Sequence, residues 1–195
     1  MAVMPGTASA PASGAPGWRR FLTPWRSPAD QPAWARPALL AIAAVAAVAY
    51  GWGMAGASVE PFYGAAARSM SGSWHDFIFG AFDPAGTVTV DKLPGELWVQ
   101  ALSLRVFGFH IWALVLPQVI EGVLTILVLY RAVRRLGGPA AGLTAAAVLA
   151  VTPITVLLSR GNVSDSLLIL LLVLAADGSP APVSQSSPVT GQPAG

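Results

Sequence analysis

The chain has no cysteine in 195 residues, which excludes disulfides, thiolate metal sites and a cysteine nucleophile while leaving the compartment open. Charge is scarce too. Asp, Glu, Lys and Arg make up 10% of the residues, against about 25% in soluble proteins. The basic residues that raise the pI to about 9.5 are few and sit at the ends of apolar runs. That placement suits membrane orientation rather than nucleic-acid binding, and no nucleic-acid partner is expected. What remains is apolar: 54% hydrophobic residues and a mean hydropathy of +0.62. The composition is that of an all-α, polytopic integral membrane protein.

Four regions follow from the pattern. Residues 1–36 are rich in Pro, Ala, Gly and Ser, lack hydrophobic periodicity and read as a disordered lead carrying Arg19, Arg20, Arg26 and Arg36. The membrane region is expected over 37–177. Its first span, 37–57, starts at Pro37, a favoured first helical residue, and ends in Tyr50 and Trp52, which suit an interface. A second span is expected at 111–130 and a third at 139–158, joined by a turn holding Arg131, Arg134 and Arg135 beside Gly137 and Gly138. Both basic clusters predict the same topology, with the N-terminus cytoplasmic, loop 58–110 outside and the Arg131 turn inside, in a multi-pass protein of the cytoplasmic membrane. A cleavable signal peptide ending near Ala55-Gly56-Ala57 is the competing account of the first span, but the apolar stretch is long for a signal core and a long lead precedes it. The run 166–176 is apolar but shorter than the roughly 20 residues a crossing needs. Residues 178–195 are low-complexity and uncharged, so the expectation is a truncated or frame-shifted member of a longer family.

Five of the acids, Glu60, Asp76, Asp83, Asp91 and Glu96, lie in the loop 58–110. Glu60 directly follows the first span and precedes Pro61, where partial loss of hydration can tune a carboxylate as a base. Asp91 and Lys92 stand side by side before Pro94. The following GELWVQALSLRVF predicts a helix whose Leu97, Trp98, Ala101, Leu102 and Val106 lie along the membrane surface. Transfer of a group onto a hydroxyl requires a base for the acceptor and positive charge for an anionic leaving group. Glu60 or Asp91 fits the first role and Lys92 the second.

Residues 59–108 (VEPFYGAAARSMSGSWHDFIFGAFDPAGTVTVDKLPGELWVQALSLRVFG), 115–143 (VLPQVIEGVLTILVLYRAVRRLGGPAAGL) and 157–177 (LLSRGNVSDSLLILLLVLAAD) together resemble bacterial polyprenyl-phosphate-dependent enzymes of glycosyltransferase family 39. That family is related to protein O-mannosyltransferases and lipid A aminoarabinose transferases. The resemblance covers about 37–177 and implies the amino-terminal helices of a GT-C-like architecture, with a large first extracytoplasmic loop bearing surface helices. It implies a polyprenyl-phosphate-linked sugar donor, plausibly carrying a mannose-like sugar, and an acceptor of unknown kind outside the bilayer. Relatives place an acid soon after the first span and a second in a DKPP-like or EKPP-like turn. Here these positions are Glu60 and Asp91-Lys92-Leu93-Pro94, with Val59 in place of an acid before Glu60 and Leu93 in place of a proline.

The remaining polar residues have weaker signals. Arg68, on an expected helix FYGAAARSM, and Arg160, in the third loop with Asn162 and Asp165, are candidates for the carrier phosphate; Arg68 could equally cap its helix at the headgroups. His75 and Asp76 form no metal-ligand pattern, so no metal site is assigned and a divalent metal stays an open alternative. Asp83-Pro84-Ala85-Gly86 reads as a turn. Asn162-Val163-Ser164 fits an N-glycosylation sequon, a weak three-residue match. Gln118, Glu121 and Thr125 share one helical face, expected to pack against spans that this sequence does not contain. The competing functional classes are an inactive truncated fragment or non-catalytic membrane interaction protein, and a transporter. A transporter would distribute ionisable residues along several spans instead of gathering them in a loop.

Overall fold

A computed structural model describes residues 27–28, 30–163 and 165–179. The expectations for the lead before Ser27, for the tail beyond Ser179 and for Ser164 of the sequon lie outside the described residues. Among the described residues the fold is all-α: α1 (Ala35–Gly51), α2 (Pro61–Gly72), α3 (Trp74–Phe79), α4 (Gly95–Phe107), α5 (Ile111–Val151), α6 (Pro153–Ser159) and α7 (Asp165–Gly178). Two stretches, Ala35–Gly56 and Ile111–Val151, are long and apolar enough to cross a membrane.

Helix α5 is two helices run together, broken at Gly138, where φ is 79°. Its first part runs antiparallel to α1, because Val115 and Val119 pack with Tyr50 near the end of α1 while the Tyr130 hydroxyl donates to Gln31 just before its start. The second part returns, and the Tyr50 hydroxyl donates to the Ala150 carbonyl at 2.9 Å. Ala46, Tyr50, Val115, Val119, Ile126, Tyr130, Ala146 and Ala150 form the buried seam of this bundle. Small residues on α1 and on the returning segment let the backbones approach closely, which is how helices associate where water supplies no driving force.

The expected third span at 139–158 is interrupted. Thr152 takes an extended conformation (ψ 124°) ahead of Pro153, and α6 starts there as a separate seven-residue helix. Proline disfavours the helical region for the residue before it. The polar face of α5 also differs from expectation. Gln118, Glu121 and Thr125 are 1%, 5% and 2% exposed, so this chain already closes over them, although Gln118 Oε1 and Glu121 Oε2 keep no hydrogen-bond partner among the described residues.

Three short helices, where two were expected, cap one end of the bundle. Pro61 opens α2, and the Glu60 side chain caps it by accepting from the Tyr63 amide at 3.0 Å. Ser73 caps α3 through the His75 and Asp76 amides. That helix ends at Gly80 (φ 65°), where a Cβ would also meet Pro94 at 2.8 Å. Helix α4 divides its apolar residues between two environments. Leu97 and Ala101 pack on Ala66, Met70 and Val90, and Leu104 packs on Ala67, Ala113 and Leu114, so these three are buried within the protein instead of lying along a surface. Trp98, Leu102 and Val106 stay exposed. Arg105 fastens the pair, donating to the Ser71 and Met70 carbonyls at the end of α2 and stacking 3.9 Å from the Trp74 ring centre.

Candidate functional site

The segment 160–163, just before α7, joins the first loop to the bundle. The Asn162 side chain is fully buried. Its Oδ1 accepts from the Glu60 amide at 2.5 Å, and its Nδ2 donates to the Glu60 carbonyl at 3.0 Å. The Asn162 carbonyl in turn accepts from Gln100 Nε2 of α4 at 3.2 Å. Arg160 donates to the Ala49 and Trp52 carbonyls at 2.6 and 2.9 Å, satisfying acceptors that the last turn of α1 leaves open. An open cleft of about 650 Å³ results, walled by Val59, Leu157, Leu158 and Val163, with Glu60 and Arg160 at its polar border. The cleft thus combines an apolar wall with a guanidinium and a carboxylate.

Lys92 does not line this cleft. Its ammonium pairs with Asp165 at 3.2 Å and stands 5.1 Å from the ring centre of Tyr63, one turn after Glu60. Burial works against the charge, but the Tyr63 and Asp165 side chains outweigh it and hold the ammonium above its ordinary value. The pair is partly exposed, so it is worth little for stability. Asp91 is exposed and makes no hydrogen bond or ion pair among the described residues. Nor does it line the cleft. Arg68 is also outside it, with its guanidinium 4.7 Å from the Phe109 ring centre.

Of the sequence candidates, the fold therefore brings Glu60 and Arg160 to one cleft and leaves Lys92 outside its lining, against Tyr63 and Asp165. Asp83 forms the expected turn. It accepts from Val88, from Thr87 Oγ1 and from the Thr87 amide, bonds that hold its carboxyl below the ordinary value. The His75 ring stands 3.4 Å from Asp76 and packs on the Phe79 ring, and no three His, Asp or Glu side chains gather among the described residues. The sequon asparagine is Asn162, whose amide is enclosed and bonded on both atoms. Sequence reasoning missed Tyr63 and Gln100. Gln100 had a faint signal as the lone uncharged amide inside the apolar run of α4, whereas nothing in the local sequence pointed to Tyr63.

Residues 91–176 match the family described as dolichyl-phosphate-mannose-protein mannosyltransferase. The chain is 44% identical over 119 residues to "Putative mannosyltransferase YycA" of Bacillus subtilis (strain 168), covering 61% of this chain and 17% of that protein. It is 42% identical over 118 residues to "Putative mannosyltransferase YkcB" of the same organism, covering 60% of this chain and 16% of that one. The match thus spans less than a fifth of either relative. No solved structure matches the chain. Over the matched part, the chain is similar to mannosyltransferase-like glycosyltransferases.

Proposed function

We propose that this chain is part of a membrane glycosyltransferase that moves a mannose-like sugar from a polyprenyl phosphate carrier to an acceptor on the outer side of the cytoplasmic membrane. The single observation that carries this is the cleft itself, in which the Glu60 carboxylate and the Arg160 guanidinium border an apolar wall. The match over residues 91–176 supports the donor class, since that family is one of dolichyl-phosphate-mannose-protein mannosyltransferases.

The reaction is a displacement at the anomeric carbon. The acceptor oxygen bonds to that carbon as the bond to the carrier phosphate oxygen breaks, and the acceptor proton passes to a carboxylate. Glu60 is the carboxylate on the cleft, and Asp91, exposed on its turn, is the second candidate. Negative charge develops on the leaving phosphate. Lys92 and Arg160 supply the compensating cations, a form of stabilisation worth on the order of a hundredfold or more in rate. For Lys92, this requires the carrier phosphate to replace Asp165 as its partner.

A photoreactive polyprenyl-phosphate mannose added to membranes holding the chain tests this reading. Label is expected on peptides covering 52–63 and 157–163, with competition by unlabelled polyprenyl-phosphate mannose and none by a nucleotide sugar. Absence of label there, or equal competition by the nucleotide sugar, overturns it.

A further inference from the structure

The side-chain amide of Asn162 mimics a peptide group. It accepts from the N–H and donates to the C=O of one residue, Glu60, as a neighbouring strand would. No other polar side chain from beyond the second span reaches the Glu60 backbone among the described residues. Glu60 needs such an anchor because it stands between the irregular segment 57–59 and the first turn of α2, and its own carboxylate is exposed. Asn162 is itself immobilised, fully buried and tied through its carbonyl to Gln100. Two residues earlier in the same segment, Arg160 is fastened to the end of α1. The segment therefore fixes both polar borders of the cleft at once.

We infer that Asn162 is a positioning residue for sugar transfer: its side-chain amide clamps the Glu60 backbone so that the Glu60 carboxylate is held against the donor sugar opposite Arg160. The inference rests on the proposed function above, with Glu60 serving the donor site. A clamp made through the backbone is indifferent to the side chain at position 60, so removing the Glu60 carboxylate leaves the clamp in place. It also leaves Asn162 unavailable as a glycan acceptor, because both amide atoms are occupied within the fold.

Two measurements on the full chain in lipid nanodiscs test this. Hydrogen exchange of the peptide 58–64 reads the clamp, and half-saturation of labelling by photoreactive polyprenyl-phosphate mannose reads its consequence. Asn162→Asp keeps the acceptor but cannot donate to the Glu60 carbonyl. It should speed exchange in 58–64 about tenfold, the size of one lost buried hydrogen bond, with α5 protection unchanged, and raise half-saturation severalfold. In a Glu60→Ala background the same change should not move half-saturation further, because positions that act through one group are non-additive. Gln100→Leu, which removes only the tether on Asn162, should give a smaller effect of the same sign and serves if Asn162→Asp fails to fold. Unchanged exchange in 58–64 overturns the clamp. Faster exchange with unchanged labelling overturns its link to the donor, and equal losses in both backgrounds reduce Asn162 to a merely structural residue. If the unaltered chain takes no label, the proposed function fails and this inference with it, while the exchange data still decide whether the clamp exists.

Discussion

The two ends of the helical bundle handle their charges in opposite ways. At the Arg131 end, charges meet charges. Arg131 and Arg135 converge on Asp177, whose side chain is 1% exposed, and Arg134 pairs with Asp30 at 3.0 Å. At the loop end, long-range ties run largely from side chains to backbone: Asn162 to Glu60, Gln100 to Asn162, Arg160 to Ala49 and Trp52, Arg105 to Met70 and Ser71. Glu60 and Asp91 keep carboxylate oxygens open there. An end that neutralises itself fixes helices, whereas an end held together by amides and carbonyls can leave its ionised groups for a ligand.

The sharpest way to break this comparison is to show that the two ends do not lie across a membrane. With Ala85→Cys and Leu136→Cys placed at exposed positions of the two ends, an impermeant thiol reagent on intact cells should label the first and spare the second. The reverse pattern overturns the expected orientation.

Next in size is the loss of charge at the loop end. Glu60→Ala, Asp91→Asn and Lys92→Ala should each be tested for transfer in the longer polypeptide of a Bacillus relative carrying this chain's matched segment. If a residue acts as base or phosphate partner, its loss should cost on the order of a hundredfold in rate, with equal membrane insertion. A variant that keeps near-normal transfer removes its residue from the mechanism, and Asp91, which stands off the cleft, is the one most exposed to that outcome.

A lesion at the other end should do the reverse. Asp177→Ala leaves Arg131 and Arg135 without their shared acid, and should lower the melting temperature in detergent and free α7 to exchange while leaving carrier capture intact. Acid should mimic it in part. The Arg131 guanidinium, with Arg135 beside it, holds Asp177 below its ordinary carboxylate value. The stability this contributes is fully present above that ordinary value and lost as pH falls through the lower folded one. A melting temperature unchanged by both treatments would show that the pairs are idle.

Between the ends, Gly122→Ala would bring a Cβ to 2.4 Å from Ser159 Oγ and 3.2 Å from Tyr50. Overpacking of this kind costs about 1–3 kcal/mol, readable as a lower melting temperature. The smallest effect is expected for Asp83→Asn, which alters the hairpin turn before Asp91 and touches no part of the cleft. Its transfer rate should stay within a few-fold of the unaltered protein, and a loss as large as that of Glu60→Ala would place the turn in the site.

The sequence by itself determined the helical class, the two long apolar stretches, a reversal somewhere within 131–138 and the helix over 95–107, because periodicity, proline and glycine act locally, while the helix of the second span runs on past 130 to Gly138. It also brought out Asp91, Glu60, Lys92, Arg68 and Arg160 as candidate site residues. Tertiary structure decided which of them meet. Asn162 and Glu60 are 102 residues apart and Lys92 and Asp165 are 73 apart, so their pairing depends on α5 turning back at Gly138 and the chain breaking again at Thr152. The same return of the chain buries Gln118 and Glu121, whose polar face in the sequence could equally have met a helix from outside it. A helix records its own periodicity in its sequence, but which neighbour covers each face is settled only when distant segments compete to bury it.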